Sequence, residues 1–176
     1  VMRRVVVTGL GLVSPLGNTV SESWSALLAG KSGIAPITSF DATPFNCRIA
    51  AKVKGFDATK ALGCKDGRRF EPFTAYGVSA AMEALDDAGL TFCDENPAGT
   101  IIGSGIGGIA TKCRDYAAFL PGGPRKFSPF IVPASIINST AGELSILRLL
   151  RGPNLAIGTA CTSGLHAIGE AAWVIA

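Results

Sequence analysis

Three short apolar runs each lead directly into glycines and other small residues: Arg4-Val-Val-Val-Thr-Gly9, Thr100-Ile-Ile-Gly103 and Leu155-Ala-Ile157. Runs of this length, bounded by glycine, predict buried strands. Each is followed further on by a segment of roughly helical period, and strands that alternate with helices predict an α/β fold with a mainly parallel sheet. This pattern restricts the chain more than its composition does.

The helical segments are expected at residues 21–30, from Pro72 to the stop at Gly89, at 134–150, and after Cys161. Ser21 is the expected cap of the first, with Trp24, Leu27 and Leu28 on its inner face. Pro72 suits the first turn of the second helix and Gly89 its left-handed end. Asn138 and Ser139 fall inside the third, where Gly142 would permit close packing. Residues 32–60 read as mostly irregular, with a short strand at 48–53, and residues 122–126 as a loop. Charged residues make up 16% of the 176-residue chain, against about 25% in typical domains. No apolar run is long enough to span a bilayer, so the excess of apolar residues predicts a surface covered by other protein.

The most informative stretch is Gly158-Thr-Ala-Cys-Thr-Ser-Gly164, which joins a strand to a helix. Small neighbours allow a sharp turn and close approach of a substrate. Thr162 or Ser163 can cap the helix, leaving Cys161 at or just before its first turn. There, free N–H groups and the positive end of the helix dipole favour an anionic sulfur. This is the layout of a nucleophile elbow with a thiol in place of a hydroxyl. A cysteine in a chain without secretory features is more often a small buried hydrophobe, and the other four cysteines lack this context.

Other chemistries fit less well. The glycines of 9–17 lack the third small residue and the immediate helix of a dinucleotide fingerprint, since Ser14-Pro15 intervenes. Gly103-x-Gly105-x-x-Gly108 satisfies the letters, but no acidic residue follows at the distance needed to hold a ribose. Its glycines instead predict close passage of one backbone past another, or past a narrow apolar tunnel. Five widely spaced cysteines and one histidine suggest neither a disulfide framework nor a metal site. A net charge of +3 without a basic aromatic stripe argues against nucleic acid. Lys65, Arg68 and Arg69 form a small basic patch that, alone, reads as a solvated face.

Four stretches together carry a resemblance: Val7-Thr-Gly-Leu-Gly-Leu-Val-Ser-Pro-Leu-Gly17, Ile102-Gly-Ser-Gly-Ile-Gly-Gly108, Gly122-Gly-Pro-Arg-Lys-Phe-Ser-Pro-Phe130 and Gly152-Pro-Asn-Leu-Ala-Ile-Gly-Thr-Ala-Cys-Thr-Ser-Gly164. In order and spacing the chain resembles the β-ketoacyl-acyl-carrier-protein synthases, the elongating type II in particular. The resemblance implies a thiolase-like α/β fold and a decarboxylating condensation in which Cys161 holds the acyl group. It implies an acyl pocket near Ile106, Gly107, Phe130 and Ile131, although many relatives carry two aromatics where this chain has Phe130-Ile131. It also implies docking of an acyl carrier protein on Lys65, Arg68 and Arg69, a homodimer, and a cytoplasmic or organellar setting. No cofactor, metal, nucleic acid or membrane partner is expected, since the substrates ride on phosphopantetheine. The two histidines, lysine and glycine-flanked phenylalanine that the family draws from its second half have no counterpart here. His166, five positions beyond Cys161, would point about 140° away around the helix. The 176 residues therefore read as one N-terminal synthase domain ending just after the nucleophile helix, inactive in condensation alone. The alternatives are a non-catalytic half-synthase and a coenzyme A-using condensing enzyme of thiolase or polyketide type.

Overall fold

The computed structural model describes residues 3–63, 70–90 and 98–176. Its centre is a parallel pair of strands, β3 (Thr100–Gly103) and β4 (Asn154–Ile157), in register from Thr100 opposite Asn154 to Gly103 opposite Ile157. Parallel neighbours need a long crossover. Here it consists of α4 (Ile109–Gly122), α5 (Ile131–Ser135) and α6 (Ser139–Arg148). Before it stand α1 (Val20–Leu28), α2 (Ala58–Leu62) and α3 (Pro72–Ala88), with α7 (Ser163–Ile175) following β4. A separate antiparallel pair, β1 (Ile34–Pro36) and β2 (Ile49–Ala51), lies within the stretch expected to be mostly irregular. Only its second strand falls within the expected 48–53.

Side chains alternate across a strand, and β3 uses both of its faces. Ile102 packs into the cluster of Leu62, Ala75, Val78, Leu144 and Leu150, which α3 and α6 build between them. On the same face the Thr100 hydroxyl donates to Ala141 O, 3.3 Å away in α6. Gly103, on the other face, lies against the start of α7. The sheet is thus sandwiched, as the alternation of strands and helices predicts.

The helix with the clearest signals forms as expected. α3 begins with Pro72 in its first turn and stops at Gly89, whose φ of 60° is the left-handed cap that glycine adopts without a Cβ clash. Strand Thr100–Gly103 also has its expected bounds.

Elsewhere the structure differs from expectation, for identifiable reasons. Arg4 to Gly9 forms no ladder and is not a strand. The segment after it is held by α3 carboxylates: Leu10 N donates to Asp87 and Leu12 N to Glu83, each at 2.9 Å. Side-chain acceptors thus satisfy its backbone. α1 is capped by Thr19, whose hydroxyl accepts from Glu22 N, and not by Ser21. Its buried face is Ser23 and Ala26, whereas Trp24, Leu27 and Leu28, expected inside, are exposed. The expected helix at 134–150 is two helices, with Ile136 in extended geometry between them. The Ser139 hydroxyl donates to Pro133 O and Ile136 O, giving the carbonyls of the break a local partner. Gly142 faces open space and serves no close packing. Within the expected loop 122–126, Gly122 closes α4, Gly123 breaks the helix, and Pro124–Lys126 form a single 3-10 turn.

α6 ends on Leu149, which is 75% exposed and has φ 53° and ψ 41°. Left-handed geometry strains any residue with a Cβ, and this side chain gains little from burial. Replacing Leu149 with Gly is expected to raise unfolding stability by about 1 kcal/mol, read as a higher urea midpoint. A lower midpoint would show that the leucine contributes packing that outweighs the strain.

Candidate active site

β3 and β4 are parallel and in register, so their carboxyl ends emerge side by side. β3 continues into Ser104-Gly-Ile-Gly-Gly108, and β4 into Gly158-Thr-Ala-Cys161. The two segments stay together. Ser104 N donates to Ile157 O at 3.0 Å. A Cβ on Gly103 would collide with the backbone of Ser163 and Gly164, and one on Gly105 would sit 3.4 Å from Ala160 O. Gly103 is needed because one backbone runs against the other, the first of the two readings offered by the spacing, whereas a Cβ at Gly105 would make only ordinary contact.

Cys161 lies in a single 3-10 turn, Ala160–Thr162, immediately before α7. It is exposed and free, as are Cys47 and Cys113; Cys64 and Cys93 lie outside the described residues. Ala160 has a positive φ of 53°, and the turn that it opens leads through Cys161 and Thr162 into α7 at Ser163. Ser163, 3% exposed, holds this bend from below. It accepts from Thr159 N at 2.9 Å and donates to Ala160 O at 2.6 Å. Thr162 was an expected cap but makes no capping bond to the helix; its hydroxyl donates back to Thr159 O at 2.7 Å. His166 contacts Thr159 Oγ1 and Glu170 Oε1, each at 3.3 Å. It therefore braces the turn from α7.

The expected pocket residues lie on neighbouring segments. Ile106 is exposed between Gly105 and Gly107. Gly107, with φ 71°, accepts no Cβ because the Ser135 carbonyl lies 2.6 Å from that position. Gly107 N is held by Ser104 Oγ at 3.2 Å and Gly108 N donates to Ser135 O at 3.2 Å. Phe130 and Ile131 stand at the start of α5, whose end, at Ser135, meets these glycines. The segment at 104–108 thus links the Cys161 turn to α5. Lys65, Arg68 and Arg69 lie outside the described residues. Among the described residues no group of His, Cys, Asp and Glu could hold a metal ion, and no helix is long and apolar enough to cross a membrane.

Two buried carboxylates were not singled out from sequence. Glu71 accepts from Thr111 N at 2.6 Å and so caps the start of α4, whose own cap position is a glycine. Asp115 accepts from Ser128 N at 3.1 Å. Glu71 carried a usable signal, since it precedes the proline that opens α3. Asp115 carried none, standing in a stretch of mixed charge.

Comparison with known proteins identifies the family. Residues 2–175 match the beta-ketoacyl synthase N-terminal domain: the chain belongs to the β-ketoacyl synthase family. It is 56% identical over 176 residues to 3-oxoacyl-[acyl-carrier-protein] synthase 2 of Vibrio harveyi, covering 99% of this chain and 42% of that protein. The synthase 2 of Coxiella burnetii is 52% identical with the same coverage. The chain therefore spans less than half the length of the curated relatives it matches. Among solved structures, a beta-ketoacyl synthase from Burkholderia phymatum aligns with a TM-score of 0.80 at 28% identity, over 99% of this chain and 44% of that one. A ketosynthase in complex with a type II polyketide acyl-carrier protein, bound to a hexaketide, aligns at 0.79 and 26% identity, over 98% and 46%. The fold is the thiolase-like α/β fold of these ketosynthases.

Ser163 supplies both a donor and an acceptor to the bend and has almost no access to water. Ser163→Ala is expected to cost about 1–3 kcal/mol, measured by thermal or urea unfolding. A loss well below this range would mean that water or a neighbouring group replaces the hydroxyl.

Proposed function

We propose that this chain is the nucleophile-bearing part of a 3-oxoacyl-[acyl-carrier-protein] synthase acting in fatty-acid elongation. The observation that carries this reading is an exposed cysteine at a braced strand-to-helix turn, in a chain more than half identical to synthases of that name. The Cys161 sulfur attacks the carbonyl carbon of an acyl-carrier thioester. The tetrahedral oxyanion then collapses and expels the phosphopantetheine thiolate, leaving the acyl group on Sγ. Negative charge develops at the N-terminal end of α7, where the helix dipole and free N–H groups stabilise it. The Cys161 N–H, fixed by the turn, is one donor to that oxyanion.

In the second half-reaction a malonyl-carrier thioester loses carbon dioxide. The electron pair of the broken carbon–carbon bond attacks the bound acyl carbonyl and releases the Cys161 thiolate, giving a 3-oxoacyl-carrier thioester. The histidines and lysine that assist this step in the family belong to the remainder of the relatives' length, so the part of the reaction derived from these residues is acyl transfer. Ile106, Gly107, Phe130 and Ile131 line the acyl chain. The carrier protein docks on Lys65, Arg68 and Arg69, the active form is a homodimer in the cytoplasm, and no cofactor is required.

Fatty-acid elongation is preferred to polyketide synthesis because identity to the elongating synthases is about twice that to the polyketide ketosynthases. A non-catalytic partner subunit is disfavoured by the presence of Cys161 in an intact turn. The test is acyl transfer itself. Incubation with an acyl-carrier thioester should add one acyl mass to the Cys161 peptide, and Cys161→Ala should abolish it. Iodoacetamide should likewise modify Cys161 ahead of Cys47 and Cys113, which are also exposed. Equal labelling of the three, together with no acyl adduct on Cys161, would overturn the reading.

A further inference from the structure

The turn that carries Cys161 is tied around Thr159. Its N–H donates to Ser163 Oγ at 2.9 Å, and its carbonyl accepts from Thr162 N at 3.2 Å and Thr162 Oγ1 at 2.7 Å. Those bonds hold its backbone from inside the turn. Its side chain is held from further along the chain. Thr159 Oγ1 lies 3.3 Å from His166 Nδ1, in the first turn of α7. The other ring nitrogen, Nε2, lies 3.3 Å from Oε1 of Glu170, one helical turn beyond.

The chemistry of these groups fixes where the protons sit. An ionised carboxylate only accepts, so Nε2 carries the hydrogen and donates to Glu170. In the neutral ring Nδ1 is then bare and accepts, and the Thr159 hydroxyl donates to it. The elements that α7 packs on bring no rival charge to the ring. β3 and β4 have no titratable side chain, and the 3-10 turn has Cys161 alone. A threonine branches at Cβ, so a partner for its hydroxyl also selects its χ1 rotamer. Both His166 and Glu170 are half exposed, and exposed pairs of this kind add little stability. What the contact adds is direction.

We infer that His166 is a positioning residue for Cys161. Glu170 keeps the ring in its Nε2–H form, the bare Nδ1 takes the Thr159 hydroxyl, and the turn presents the thiol in one arrangement. The consequence for acyl transfer rests on the acyl-transfer reading given above; the ring form and the hydroxyl contact do not.

His166 is the one histidine of the 176-residue chain, so nitrogen-labelled histidine gives the magnetic-resonance spectrum of a single ring. With the ring neutral, at alkaline pH, that spectrum should show Nε2 protonated and Nδ1 bare. Thr159→Val should then move the Nδ1 signal toward that of free histidine. A native ring protonated at Nδ1, or an Nδ1 signal unmoved in Thr159→Val, overturns the contact. The rates of acyl transfer to Cys161 and of its alkylation by iodoacetamide read the consequence. His166→Ala and Thr159→Val should each slow both by about fivefold, and the double variant should be no slower than either alone. His166→Asn places an oxygen where Nδ1 stands and should stay within about twofold of the native rates, whereas His166→Gln reaches only the Nε2 position and should behave as His166→Ala. Slowing in His166→Asn as large as in His166→Ala, or a double variant slowed by the product of the two, means a general loosening of α7 and overturns the positioning role. Should His166→Ala fail to fold, the native ring spectrum and the contrast between His166→Asn and His166→Gln decide. If the native Cys161 takes no acyl group, the acyl-transfer reading has failed instead, while the ring spectrum and the alkylation rates still judge His166.

Discussion

The site depends on a contact between two stretches of bare backbone. β3 ends at Gly103, directly against the first turn of α7, and Gly105 then runs past Ala160. In-register parallel strands bring their carboxyl ends out together, the edge where open α/β sheets place their ligands. Two loops leaving one edge would ordinarily be separated by their side chains. Glycine removes that spacing, so the loop after β3 lies on the loop after β4 and presses the Cys161 turn against the sheet. A Cβ at Gly103 would push α7 away and take the Cys161 turn with it.

Around that contact, small polar groups fix the geometry more than apolar packing does. Ser163 ties Thr159 to Ala160, Ser104 holds Gly107, and Glu71 supplies the cap that Gly108 cannot. Each bond adds only about 1 kcal/mol net, yet leaving any of these buried groups unpaired costs more than that. The consequence is directional. Apolar contacts tolerate sliding, whereas a hydrogen bond across a tight turn specifies one arrangement.

What could be read from the sequence follows the same division. Strand Thr100–Gly103, helix Pro72–Ala88 with its Gly89 stop, and the strand–turn–helix around Cys161 were legible because each carries a local signal. Apolar runs, a proline at the first helical turn and a glycine with positive φ act within a few residues. The break at Ile136 was not legible, because it depends on where Ser139 sends its hydroxyl. Nor was the loss of the expected strand at residues 4–9, which forms no ladder while α3 carboxylates hold the amides just beyond it. Asp115 is the extreme case. Its partner lies 13 residues away across a helix end, and no periodicity marks it.

The composition finds its explanation in the same place. The buried residues are largely small, with Ala26, Ala75, Ala141, Ala167, Ser163 and Thr140 among them, as close approach of helices and strands requires. The large apolar side chains lie mostly outside: Trp24, Leu27 and Leu28 on α1, and Leu165, Ile168 and Trp173 on α7. An amphipathic pattern normally marks the inner face of a helix, and on α1 it marked the outer one. The error in assigning that face and the apolar excess are therefore one fact. On α1, hydrophobic periodicity marks a face that this chain leaves exposed. α7 makes the point most directly, since the helix whose first turn follows Cys161 buries Ser163 and Ala167 against the sheet while its larger residues point away.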